Sequence, residues 1–211
     1  GIDVAGDGEL PRIGFSFYVK DRMTGFGGVA NRGTVTDFSK FPEYAALKMA
    51  ALRGAQNDDR DVTATASLYE MPEAQTAVHY DDDLVTAREE MAIFDDALTA
   101  SGVRNNFAET FVSAASPGII STTLLRAEEN EAYATDRDYL FALAAELKKE
   151  YEFVVSQGHI LQLDAPDLAM ERQIMFVDKP LDVFLERAAM HVEALNIALA
   201  DIPPEKVRLH V

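Results

Sequence analysis

The sequence predicts an α/β fold, and three observations lead to it. Short β-like runs recur along the chain, and longer stretches with helical periodicity separate them. The 211 residues are 48% hydrophobic, enough for a sizeable core. Strands separated by single helices form right-handed βαβ units and hence a parallel sheet. The chain reads as one domain over residues 1–211, interrupted by an excursion at residues 20–58.

The strand candidates are Ile2-Asp3-Val4-Ala5, the β-branched run Val62-Thr63-Ala64-Thr65-Ala66-Ser67-Leu68, Glu109 to Ala115, Ile160-Leu161-Gln162-Leu163, and Val207-Arg208-Leu209-His210-Val211. The helices are better defined. Leu84, Ala87, Met91, Phe94 and Leu98 form one apolar stripe, and Gly102 is a plausible stop. Leu140, Leu143, Leu147, Tyr151 and Val154 repeat the pattern, with Thr135 or Asp136 to cap the start and Gly158 to end it. A third helix starts near Pro180 and carries Phe184, Ala188, His191, Leu195 and Ala198 before Pro203-Pro204 stops it. The excursion, with Gly25, Gly27, Gly28 and Gly33 among Phe26, Phe38, Phe41 and Tyr44, is too long for an ordinary connection. It either caps a site, packs on a neighbour or elaborates the surface.

Composition excludes several functions. With 19 Lys+Arg against 36 Asp+Glu, the net charge of −17 opposes nucleic acid or an anionic membrane as partner. Zero cysteines remove a disulfide framework, a thiolate nucleophile and sulfur-based zinc sites. The longest apolar stretch, Tyr139 to Ala145, is seven residues, far short of a membrane span. The chain opens on Gly1-Ile2-Asp3 with no secretory leader pattern, so a cytoplasmic setting is expected. The acids at Asp81, Asp82 and Asp83 read as a solvated helix start rather than a metal site.

Ligands of parallel α/β folds bind at the carboxyl ends of strands. Those ends hold Gly6-Asp7-Gly8-Glu9-Leu10-Pro11-Arg12, Ser116-Pro117-Gly118, Asp164-Ala165-Pro166-Asp167 and His210. Glu9 and Asp164 would project into one mouth with an imidazole nearby, a constellation suited to a cationic amine or a divalent metal. Alternatively, Asp164 and Asp7 only cap turns, as Asp-Pro and Asp-Gly sequences do. Among the histidines, His191 lies on an apolar helix face and is expected to be buried and hydrogen-bonded, while His79 is expected to be solvated. His159 should face away from Asp164, because side chains alternate along a strand. His210 shares parity with Arg208 rather than with the apolar Val207, Leu209 and Val211.

The Asp-Gly-Glu opening with Arg12 and Phe15, the Ser-Pro-Gly turn, the run Leu161-Gln162-Leu163-Asp164-Ala165-Pro166-Asp167-Leu168-Ala169 and the closing Val207-Arg208-Leu209-His210-Val211 occur in one order. Together they resemble the catalytic barrel of the cobalamin-independent methionine synthase family, particularly its short single-barrel relatives. The resemblance implies a partial (β/α)8 TIM barrel, roughly strands 2–6. In this family zinc activates a thiol substrate for methyl transfer. Glu9 and Asp164 match the acids that hold the amino group of homocysteine, with Ser116 beside them as a substrate-binding residue. His210 matches the histidine of the family's His-x-Cys zinc motif.

The chain also departs from the pattern. The matching cysteine is absent, and one histidine cannot make a zinc site that needs three or four protein ligands. The expectation is a fragment of a zinc-dependent thiol methyltransferase, inactive alone, with no catalytic residue of its own and no zinc bound. Its parent would take homocysteine and a methyl donor. Alternatives are a barrel alkylating another thiol such as coenzyme M, or a non-catalytic module that binds a small amine. Open sheet edges at the first and last strands, and interior apolar positions facing water, predict a homodimer.

Overall fold

The computed structural model describes residues 2–9, 12, 14–30, 40–44, 46–47 and 71–211. In chain order the elements are β1 (Val4–Gly6), α1 (Phe15–Arg22), β2 (Met23–Gly27), β3 (Glu73–Tyr80), α2 (Val85–Ala100), β4 (Glu109–Ala115), α3 (Pro117–Thr123), α4 (Asp136–Ser156), β5 (Ile160–Asp164), α5 (Asp167–Ile174), α6 (Leu181–Ala198) and β6 (Val207–His210). β1, β4, β5 and β6 form a four-stranded, wholly parallel sheet in that spatial order. The fold is α/β with helical connections, as the alternation of strand and helix signals requires. The candidate strand Val62–Leu68 lies outside the described residues, as do Gly33 and Phe38 of the excursion.

The pleat gives the sheet two different faces. Val112, Ala114, Leu161 and Leu163 point to one side and are almost fully buried. They are covered chiefly by α4, whose Leu140, Leu143, Leu147 and Tyr151 have no exposed surface. The opposite side carries Glu109, Phe111, Ser113, Gln162, Asp164, Arg208 and His210, placed together by the register Ser113↔Gln162↔Arg208 and Asp164↔His210. Arg208 pairs there with Glu109 and lies 5.5 Å from the Phe111 ring centroid. The sequence analysis expects apolar positions facing water on the inner face; the register puts Val4, Phe111, Ala115 and Ile160 there among the polar groups, and of these Ala115 and Ile160 are buried. Exposed apolar side chains lie elsewhere, on α6 (Leu181, Leu185, Ile197) and at the edge of β6 (Leu209, Val211).

The helix boundaries follow local chemistry. Thr135 caps α4 in a reciprocal box: its hydroxyl accepts from the Asp138 N–H at 3.1 Å, and the Asp138 carboxylate accepts from the Thr135 N–H at 2.9 Å. Asp81 caps α2, accepting the N–H groups of Val85 (2.9 Å) and Asp83 (3.1 Å), so the acidic cluster is a solvated helix start. Helix α6 begins directly after Pro180 and buries Phe184, His191, Leu195 and Ala198.

Helices α1, α3 and α5 and one two-stranded ribbon have no counterpart in the sequence analysis. β2 and β3 form a separate antiparallel ribbon with a bulge between Thr24 and Phe26. Gly25 sits in that bulge at φ 96°, where a Cβ would lie 2.4 Å from the Ala77 carbonyl oxygen, so only glycine fits. The ribbon is tied to the rest of the molecule by the Ala74 backbone, which exchanges hydrogen bonds with Leu125 and Ala127, and by the Tyr133 hydroxyl, which accepts from the Val78 N–H at 2.8 Å. No helix among the described residues is long and apolar enough to cross a membrane.

Because the capping box satisfies two helix-end donors at once, Thr135→Ala should lower stability by about 1 kcal/mol. Urea unfolding should show a lower midpoint at unchanged slope; an unchanged midpoint would show that the cap contributes nothing.

Candidate functional site

The carboxyl ends of the parallel strands bring three of the sequence-predicted residues together. After β1 the chain turns tightly: the Asp7 carboxylate accepts the Glu9 N–H at 3.3 Å, and the Glu9 carbonyl accepts the Arg12 N–H at 2.8 Å. Glu9 itself adopts φ 53°, an unusual conformation for a non-glycine residue, which its neighbours must hold in place. Arg12 anchors the turn to the sheet, pairing with Asp7 at 3.1 Å and donating to the Ser113 carbonyl of β4.

Asp164 ends β5 and is only 4% exposed. Its Oδ1 lies 2.8 Å from His210 Nδ1 on β6 and accepts from the Gln162 amide at 3.3 Å. Burial raises the Asp164 pKa above the usual carboxylate value; the His210 hydrogen bond opposes this, and repulsion from Glu9 adds to it. The two carboxylates therefore share one electrostatic environment. His210 is opposite in character, with 69% of its side chain exposed. Asp164 orients its ring through Nδ1, leaving Nε2 directed elsewhere.

The fourth residue, Ser116, stands apart. It is completely buried and caps α3, accepting from the Ile119 N–H at 3.0 Å and donating to Asp167 Oδ1 at 2.6 Å. Beyond it lies a network the sequence reading did not find. His191 Nδ1 is 2.8 Å from Asp167 Oδ2, and Glu171 Oε2 approaches the same imidazole nitrogen at 4.0 Å. Gly118 permits this close packing, since a Cβ there would fall 2.0 Å from Asp167 Oδ2. Although Ser, Asp and His meet here, the hydroxyl donates to the carboxylate rather than to the imidazole and is completely buried, so the arrangement is not that of a serine nucleophile with a histidine base. The cluster is a buried brace between the β4 and β5 loops. Its sequence signal was the Asp167/Glu171 pair at helical spacing together with a histidine on an apolar helix face.

The remaining histidines stand as expected. His191 is fully buried and hydrogen-bonded, and His79 is exposed. His159 lies on the face opposite Asp164, hydrogen-bonded to the Thr110 hydroxyl at 2.7 Å, and burial lowers its pKa.

His210 is the one imidazole at the mouth, its Nδ1 is occupied by Asp164, and no group of three potential ligands occurs among the described residues. No protein-family model, curated protein or solved structure matches the chain.

The buried brace makes stability depend on pH. Burial, reinforced by Asp167, pushes the Glu171 pKa from its usual 4.5 up to about 8, against a weaker opposing effect of Arg187. Between these values the folded chain holds a proton that the unfolded chain has released, so stability falls as pH rises. Glu171→Gln should flatten that decline and stabilise the protein at pH above about 8, by an amount on the order of a few kcal/mol. Urea titrations at the two ends of this window check it; parallel pH profiles for both proteins would contradict it.

Proposed function

We propose that the strand-end mouth binds the ammonium group of a small amino-thiol, as the amine-holding part of a thiol-alkylating (β/α)8 barrel. Homocysteine would be the thiol and a methylated carrier the donor in the complete enzyme. The observation that carries this reading is the placement of Asp164: buried at the end of a parallel strand, held by His210 and Gln162, and repelled by Glu9. A cation between the two carboxylates would relieve that repulsion and form charge-assisted hydrogen bonds. The spatial order β1-β4-β5-β6 without reversal supports an arc of a barrel over a doubly wound sheet, whose strand order reverses.

Within this reading, coenzyme M is the poorer thiol. It has no amino group, and its sulfonate would meet two carboxylates. Thiol activation is not assigned to the described residues. A non-catalytic module that binds a small amine is the second reading.

Calorimetric titration distinguishes recognition from turn capping. Asp164→Asn should weaken L-homocysteine binding by about 1.5–3 kcal/mol, and leave 2-mercaptoethanol, which lacks the amine, nearly unaffected. Equal losses for both ligands would make Asp164 a structural turn residue, and no homocysteine binding by the unaltered chain would defeat the proposal.

The same architecture supports a homodimer as partner. β1 and β6 are edge strands among the described residues, and Leu209 and Val211 at the β6 edge are exposed. Light scattering at micromolar concentration should give twice the chain mass of 23.2 kDa. A clean monomer would contradict it.

A further inference from the structure

A cavity of about 330 Å³ lies between α2, the end of α4 and the covered face of β4. That volume falls within the range of small-molecule sites. Much of its lining is apolar, with Ala87, Met91, Phe94 and Ala97 from α2, Val112 from β4 and Phe153 from α4. Ile93 also lines it and is largely exposed, so the cavity opens to solvent along α2.

The rest of the lining is charged and almost self-sufficient. The Arg12 and Arg22 side chains are only 5% and 2% exposed. Arg12 pairs with Asp7 at 3.1 Å and Glu90 at 3.3 Å; Arg22 pairs with Glu150 at 2.9 Å and with Glu90. The Tyr18 ring lies beside both guanidinium groups, at 5.4 and 4.5 Å. Among the described residues, the Nε–H of each arginine is left buried without a partner after these contacts, and Arg22 Nη2, though ion-paired with Glu90, makes no hydrogen bond of regular geometry. Orphaned charged donors on two residues that line one cavity are costly unless an acceptor reaches them.

The charge count limits what that acceptor belongs to. Two guanidinium groups already face three carboxylates, so an anion would be repelled by Asp7, Glu90 and Glu150. An ammonium would meet two cations and find carboxylates already accepting from arginine. What the chamber lacks is an uncharged acceptor on an apolar body. We propose that this cavity binds a neutral, largely apolar small molecule whose carbonyl oxygen accepts from the Nε–H groups of Arg12 and Arg22. The site adjoins the strand-end mouth through the Asp7–Arg12 pair, but it does not depend on the reading given to that mouth.

Acetanilide, a neutral aryl amide, serves as the probe, followed through the methyl resonance of Met91 in NMR titrations. Ethylbenzene removes the acceptor and phenylacetate adds a charge. Acetanilide should shift Met91 saturably, and both comparison compounds should bind at least about tenfold more weakly. Ala97→Phe and Ile93→Trp, at exposed positions along the opening, should each weaken acetanilide binding by about tenfold or more while thermal melts confirm the fold. The proposal is overturned if acetanilide does not saturate, if ethylbenzene binds equally well, if phenylacetate binds more tightly, or if both variants bind acetanilide as the unaltered chain does.

Discussion

The parallel register that sets β5 between β4 and β6 determines most of what this molecule can do. With Ser113 opposite Gln162 and Asp164 opposite His210, one face of the sheet is a polar ladder and the other an apolar bed. A slip of one residue would exchange the two, pushing Gln162 and Asp164 under α4 and Leu161 and Leu163 into the open. Burial of Leu161 and Leu163 against α4 makes that slip costly. The apolar packing on one side therefore fixes the carboxylate and imidazole on the other.

Polar groups that enter the core are held in connected sets. Glu150, 1% exposed, accepts from Arg22 and from the Tyr80 hydroxyl, joining α4 to α1 and to the ribbon. Ser116, Asp167 and His191 join the β4 and β5 loops to α6. Removing one member of such a set leaves a buried group unpaired, which costs more than the lost bond alone. The Arg12–Asp7 pair connects two regions: Arg12 lines the cavity, while Asp7 also accepts from the Glu9 backbone at the strand-end mouth.

Much of this was legible in the sequence because it is local. The apolar stripes of α2, α4 and α6 follow helical spacing, and Thr135, Gly102 and Gly158 mark their ends. That Asp164 has an imidazole beside it was legible because Asp164 and His210 both fall at the carboxyl ends of strands. The ribbon was not, although Ala74, Val78 and Tyr80 alternate on its buried side, because its partner Met23–Gly27 is short and glycine-bearing. Ser116 was placed at the mouth from its position after β4, yet its hydroxyl is committed to capping α3 and to Asp167. The pairings of Arg12 and Arg22 were hidden for another reason. Their partners Glu90 and Glu150 are distant in the chain, and no local pattern announces such contacts.

The central claim is that Glu9 and Asp164 form one ammonium-binding mouth beside His210. Side-chain carboxyl ¹³C NMR during titration with L-homocysteine tests it most directly. The account predicts that the Glu9 and Asp164 carboxyl resonances move together and saturate at one ligand concentration, while that of Glu171 stays fixed. Movement of either resonance without the other, or a response centred on Glu171, would contradict it.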